Sequence, residues 1–288
     1  MRAARIAGAA LAGLALAALA ACSATQMVYE NGATLLRWRA TSYLDVRGEQ
    51  AGELDRRIER FLAWHRAHAL PQYAALAEAC AHRVERGLTR ADLDWGYAAF
   101  RAQLDEGLRA AAHEVAPLLD RLTPGQLAHL ARRMEEDDRS FAEEQLAGDE
   151  AERRARRMER NLGRLEDWFG ALGAAQRDAV RRYTLSAPLT GALRAEDRRR
   201  RQAELLEILR TRSAEQRLAD WAAGWDQGRS EEYARASRAH REAYFDMLLA
   251  IERTLSAEQR ALAAARLRGF ARDFRQLARA GGAEVVSR

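Results

Sequence analysis

Leu19-Ala20-Ala21-Cys22 sets small residues and a cysteine at the end of an apolar run that starts at Ile6 and follows the positive charges of Arg2 and Arg5. A basic segment, a short apolar core and small residues before the cut form an export signal. A cysteine placed directly after the cut supplies the chemistry of lipoprotein maturation: its thiol takes a diacylglycerol, and its freed amine takes a third acyl chain. The spacing predicts a cleaved signal over residues 1–21 and lipid attachment at Cys22. An ordinary secretory signal with an incidental cysteine is the alternative. The run from Ile6 to Leu19 is shorter than the roughly 20 residues needed to cross about 30 Å of hydrocarbon, so it is not read as a membrane span. Two or more acyl chains hold a protein firmly on a bilayer. Ser23 stands where an aspartate would signal inner-membrane retention, and the expected location is the periplasmic face of an outer membrane.

The other residues with chemical potential are less specific. His65 and His68 lie at i, i+3, but the His-Glu-x-x-His spacing of a zinc helix is missing and no cysteine assists. Cys80 shares a helical face with Tyr73, Leu76, Ala77 and Val84, which predicts a buried, inert thiol. With Cys22 committed to lipid, Cys80 has no partner for a disulfide within the mature chain. Arg153-Arg154-Ala155-Arg156-Arg157 and the run 198–201 invite a nucleic-acid reading. Export argues against that. At about 100° per residue, four consecutive arginines point around most of a helix, and the neighbouring Glu150, Glu152, Glu159, Glu196 and Glu204 predict solvated faces laced with ion pairs. Binding of anionic lipid phosphate is the other reading of those arginines. The acid pairs Glu135-Glu136 and Asp137-Asp138 are expected on a solvated helical face. There is no Gly-x-Ser-x-Gly elbow, phosphate-binding glycine loop or Cys-x-x-Cys.

The elements that carry these residues are helices. Leu54, Ile58, Phe61, Leu62 and His65 form one stripe at 3.6-residue spacing. Pro71 and Gly87 are read as the start and stop of a second helix. Thr89 with Asp92 opens a long third helix with Leu93, Tyr97, Phe100, Leu104, Leu108, Val115 and Leu118 inward, and a kink or break is expected at Pro117. Leu122-Thr123-Pro124-Gly125-Gln126 marks a tight reversal, repeated at Leu255 to Gln259 and echoed at Ser213 to Gln216 and Leu172 to Gln176. Gly148-Asp149, Gly170, Gly173 and Ser186-Ala187-Pro188 are further breaks. Tyr29, Trp38 and Tyr43 are assigned to the core, with the lipid headgroup region as the alternative. Alternating β-branched runs are absent. The prediction is an all-α, multi-helix bundle of about ten helices over residues 22–288, with Pro188 as the candidate boundary between two packed halves.

Removing residues 1–21 from the 288 leaves 267, enough for one large domain or two small ones. The net charge of +5 falls to +3 with Arg2 and Arg5 gone, and arginine supplies all of the positive charge. The mature chain is only mildly basic for its size, and no function is drawn from that balance; export and lipidation argue against a nucleic-acid partner.

Two resemblances add to this reading. The turns built as Leu-Ser/Thr-x-x-Gln, of which Leu122 to Gln126 is the literal match, resemble the paired Leu-Thr-x-x-Gln signature of small periplasmic helical chaperones, although helix capping accounts for each feature. Tyr29-x-Asn31, Leu35-Leu36-x-Trp38, Trp64-His65-Arg66 before Leu70-Pro71-x-Tyr73, Asp94-Trp95, Leu122-Thr123-Pro124 and Ser230-x-x-Tyr233 resemble an uncharacterised family of proteobacterial lipoproteins, a domain of unknown function. That resemblance implies lipoprotein status and a helical fold, and carries no catalytic residues. The expected role is a non-enzymatic scaffold or interaction protein of the envelope, attached to the membrane through its lipid and open to an envelope protein partner. An anchored holdase chaperone or anionic-lipid-binding module is the alternative. No cofactor, metal or catalytic residue is assigned.

Overall fold

The computed structural model describes Tyr29 and residues 31–286, with side chains described up to Ala280. Residues 1–28, and with them the signal and Cys22, lie outside the described residues. The described chain is all helical: α1 (Gly32–Leu44), α2 (Glu49–Trp64), a π-helical turn (His65–Ala69), α3 (Leu70–Arg86), α4 (Arg90–Leu119), α5 (Pro124–Gln145), α6 (Glu150–Phe169), α7 (Ala174–Ser186), α8 (Gly191–Arg210), α9 (Ala214–Ala223), α10 (Glu231–Glu252) and α11 (Ala257–Val286). Because α2, the π-turn and α3 form one continuous rod, the described residues make ten rods, in line with the expected number. No described helix is long and apolar enough to cross a membrane.

Helix ends follow local side-chain chemistry. Thr89 and Asp92, Thr123 and Gln126, and Asp149 and Glu152 are reciprocal capping pairs, each satisfying two amide hydrogens that the first helical turn leaves free. Ser230 accepts from the Tyr233 amide at 3.1 Å, and Ser256 from that of Gln259 at 3.1 Å. Gly87, at φ 96°, ends α3 in a conformation that suits glycine. Ser213 departs from this pattern. Its hydroxyl turns back to the Ile208 carbonyl, and α9 is capped instead by Asp120, whose two oxygens accept from the amides of Ala214 (2.7 Å) and Glu215 (3.1 Å).

Pro71 falls in the first turn of α3, where the sequence places a helix start, whereas the break expected at Pro117 does not occur there. At Pro71 the rod continues, because the preceding turn is π-helical: Leu70 donates to the His65 carbonyl, and the wider turn makes room for a ring that would crowd a regular one. At Pro117 the helix runs on to Leu119, only two residues further, so the missing amide hydrogen falls in a turn that is already closing.

The chain visits its cores out of order. The first unites Leu44 and Val46, the α2 stripe Leu54, Ile58 and Leu62, the end of α4, Leu122 and Leu130, with Ile208, Leu209 and Leu218 from α8 and α9. The second joins Leu165, Val180 and Tyr183 to Met247 and Ile251 of α10. Val84, Ala263 and Ala264 form a third between α3 and α11. These two helices are antiparallel, since Arg260 reaches the Val84 carbonyl while Arg275 pairs with Glu78. Their contact is alanine-rich, with Ala81 and Ala271 completely buried. Small side chains let the two backbones approach closely.

Three expected core residues are on the surface. Trp38 is 62% exposed and Phe100 58%, and Tyr97 is also open to solvent. The N-terminal half of the 30-residue α4 outruns the first core, so its apolar stripe has no partner helix along its full length.

Candidate functional site

A cleft of about 850 Å³ is walled by α8 and α10, closed by α5 and Tyr43 on one side and by the segment from Trp221 to Arg229 on another. Its position follows from the chain crossing between cores: α8 and α9 belong to the first, α10 to the second, and the gap between them is not filled by apolar side chains. Arg194, Arg198, Arg201 and Leu205 repeat at i, i+4, i+7 and i+11 and put one cationic stripe of α8 on the cleft. Tyr233, Ser237 and His240, with Arg238 and Arg241, supply the facing wall.

Six arginines line the cleft against three aspartates, Asp137, Asp197 and Asp226. The aspartates are already engaged. Asp226 receives both terminal nitrogens of Arg101 at 2.8 and 3.2 Å, which holds its carboxyl below the ordinary range. Asp197 lies between Arg200 (2.7 Å) and Arg229 (3.7 Å), and Asp137 accepts from the Tyr43 hydroxyl. Arg198 donates at 2.8 Å to Asp138, outside the cleft lining. Arg201 has only carbonyl acceptors, Trp221 O at 2.8 Å and Gly224 O at 3.2 Å, and burial together with Arg200 pushes its pKa down. Arg194 lies over the Phe141 ring, and Arg238 has no partner among the described residues. Arg194 and Arg238, both exposed, therefore carry charge that no neighbouring carboxylate offsets, whereas Asp197 and Glu204 partly offset that of Arg201.

The aromatic rings stiffen this array. Arg201 sits 4.4 Å from the Trp221 ring centre, Arg101 and Arg229 sit 4.4 and 4.7 Å from that of Trp225, and Arg229 is 4.6 Å from that of Tyr233. Guanidinium stacking of this kind is attractive and fixes the orientation of the remaining donors. Gly228, at φ 69°, turns the chain so that Trp225 and Arg229 both reach the cleft, and a Cβ there would stand 2.8 Å from Arg200. The indole N–H groups of Trp221 and Trp225 and Nε of Arg229 are buried without a hydrogen-bond partner. An unpaired buried donor costs free energy; the two indole N–H groups remain so, whereas Nε of Arg229 lies 3.7 Å from the Asp197 carboxylate.

His240 joins the cleft to the second core. Its Nδ1 lies 3.3 Å from the Pro188 carbonyl and its Nε2 3.0 Å from the Tyr183 hydroxyl. A carbonyl can only accept, so Nδ1 carries the hydrogen and Nε2 accepts from the tyrosine. Burial lowers the His240 pKa.

A family model described as a family of unknown function (DUF6279) matches residues 42–234. The chain belongs to that family. No curated protein and no solved structure matches it. The family match runs from the end of α1 into the first turn of α10, so this DUF6279 chain carries the first core and most of the cleft wall within the matched region, and α11 outside it.

The residues singled out in the sequence fare differently. His65 and His68 both fall in the π-turn and do not converge: His65 bonds the Tyr29 hydroxyl at 3.1 Å, and His68 bonds the Trp64 carbonyl at 3.1 Å and stacks on its ring. No group of three or more potential metal ligands comes together among the described residues. Cys80 is half-buried rather than fully so, and burial raises its thiol pKa. The run Arg153 to Arg157 is not mainly a solvated ion-pair face. Only Arg154 has a carboxylate partner there, Glu150, while Arg153 donates to the Gly148 carbonyl at 2.5 Å and the buried Arg157 to those of Ala187 and Pro188 at 2.9 and 2.8 Å. Carbonyls at helix ends lack intrahelical donors, and these guanidiniums fill that need. Asp137 and Asp138 likewise face Tyr43 and α8, not bulk solvent. Cys22 lies outside the described residues.

In the sequence the cleft is hidden because the run 198–201 reads as a block. The signal was the wider spacing of Arg194, Arg198 and Arg201, which a block of consecutive arginines obscures.

Proposed function

We propose that this DUF6279 chain is a lipoprotein of a proteobacterial envelope, anchored through Cys22 to the periplasmic face of the outer membrane, and that it acts as a non-enzymatic scaffold or interaction protein. The observation that carries the reading is the outer face of α1. Leu35, Leu36 and Trp38 are 58%, 39% and 62% exposed on the helix that begins ten residues after Cys22. Ten residues span at most about 35 Å, so an acylated Cys22 keeps this face beside the bilayer. Tryptophan and leucine there suit the headgroup boundary. The reading as non-enzymatic rests on the missing catalytic motifs of the sequence, and family membership lends no activity to set against it.

The holdase alternative draws on the Leu-Thr-x-x-Gln turns, but their glutamines are used in capping and turn-to-turn bonds. The anionic-lipid alternative draws on the arginine cleft and is the stronger of the two.

Metabolic labelling with palmitate and membrane fractionation test the anchor. Wild-type chain is expected to take up label and to fractionate with outer membrane, and Cys22→Ala to remain unlabelled precursor. Label in Cys22→Ala, or wild type in the soluble periplasm, overturns the reading.

A further inference from the structure

We propose that the cleft between α8 and α10 is a binding site for a small molecule or headgroup that carries a phosphate group. The inference deepens the anionic-lipid alternative by naming its site, and does not depend on the lipid anchor.

Size comes first. A cleft of about 850 Å³ lies in the range that holds small ligands, and is too small to seat a folded partner. Charge comes next. Six arginines face three aspartates in its lining, and Arg194 and Arg238, on two helices that belong to different cores, have no carboxylate partner. Holding like charges together in a partly enclosed space is unfavourable unless an anion offsets them.

The geometry separates phosphate from the other anionic or planar ligands. The rings of Trp221, Trp225 and Tyr233 already carry guanidiniums, which compete with a flat aromatic ligand for those rings. Donors from α8, α10 and the Trp221–Arg229 segment approach from several sides. A tetrahedral phosphate offers oxygens in as many directions and up to about two negative charges, whereas a carboxylate offers two oxygens in one plane. The phosphate has two possible sources, a soluble monoester or the diester of a lipid headgroup, and both present the same group to these donors.

The test is calorimetry on the full chain in a non-ionic detergent, titrated with glycerol 3-phosphate for the soluble source and with glycerophosphoglycerol for the headgroup source. Saturable, salt-weakened binding of either is expected. Preference for one names the source. Arg194→Gln with Arg238→Gln removes two cations that hold no carboxylate, and should weaken binding roughly tenfold or more. Arg199→Gln with Arg235→Gln removes the same charge from the outward faces of α8 and α10 and should leave affinity within about threefold. Cys22→Ala should bind as wild type does, so failure of the anchor and failure of the site are distinguishable. Absence of saturable binding up to about 10 mM, or equal loss in the two double variants, overturns the proposal.

Discussion

Gln176 and Gln259 bond each other in both directions: Nε2 of Gln176 donates to Oε1 of Gln259 at 2.8 Å, and Nε2 of Gln259 to Oε1 of Gln176 at 3.1 Å. Each Oε1 also caps its own helix, accepting from the amide of Gly173 or Ser256. Each Nε2 also reaches the opposite turn, at the carbonyl of Thr254 or Ala171. The two helix starts are thus tied into one closed network, 83 residues apart in sequence. Gln126 does the equivalent at the other end of the protein, bonding Gln50 at 2.7 Å and the Asp45 carbonyl.

Gln176→Ala is therefore expected to cost about 2 kcal/mol, because it strands a cap amide and the Gln259 side chain in a site where Gln176 is 2% exposed. The double variant with Gln259→Ala should cost less than the sum of the single changes, as groups of one network do. Urea unfolding of the four chains measures both, and strict additivity would refute the network.

The distant cap on α9 gives a sharper contrast. Asp120→Ala should destabilise by about 1–2 kcal/mol, as loss of an N-cap does, whereas Ser213→Ala, at the capping position but without a cap bond, should cost less. Equal effects of the two in chemical denaturation would show that Asp120 does not cap the helix.

Burial lowers the pKa of both His65 and His240 below the ordinary 6.5. The unfolded chain then takes up protons first as pH falls, so their contribution is fully present above about 6.5 and is lost as pH drops toward the folded values. Stability should be lower at pH 5.5 than at pH 7.5, above the range where the carboxylates titrate. His65→Gln with His240→Gln should reduce that difference, whatever its effect on absolute stability. An unchanged difference between the two pH values would remove the histidines as its cause.

Ala81 packs with 0% exposure where α3 meets α11. Ala81→Leu adds three carbons where there is no room and should cost about 1–3 kcal/mol. The same change at Ala75, exposed on α3, should be nearly neutral. A thermal melt distinguishes the two positions.

The sequence by itself determined that the described chain is helical and where most helices start, since apolar period and capping act within a few residues: Thr89 with Asp92, Thr123 with Gln126 and Ser256 with Gln259 all cap as their spacing predicts. It also wrote the α8 stripe of Arg194, Arg198 and Arg201, though not what that stripe would face. The tertiary structure alone decided the rest. Asp120 caps α9 across 94 residues, Arg157 turns from solvent to the carbonyls of Ala187 and Pro188, and Trp38 and Phe100 stay exposed although their periods match those of core residues. The physical reason is common to all of these. A side chain's type and spacing fix which face of a helix it occupies, whereas burial and neutralisation of charge depend on which other helix comes to lie against that face. In this protein that is set by a chain that leaves its first core after α5 and returns to it with α8 and α9.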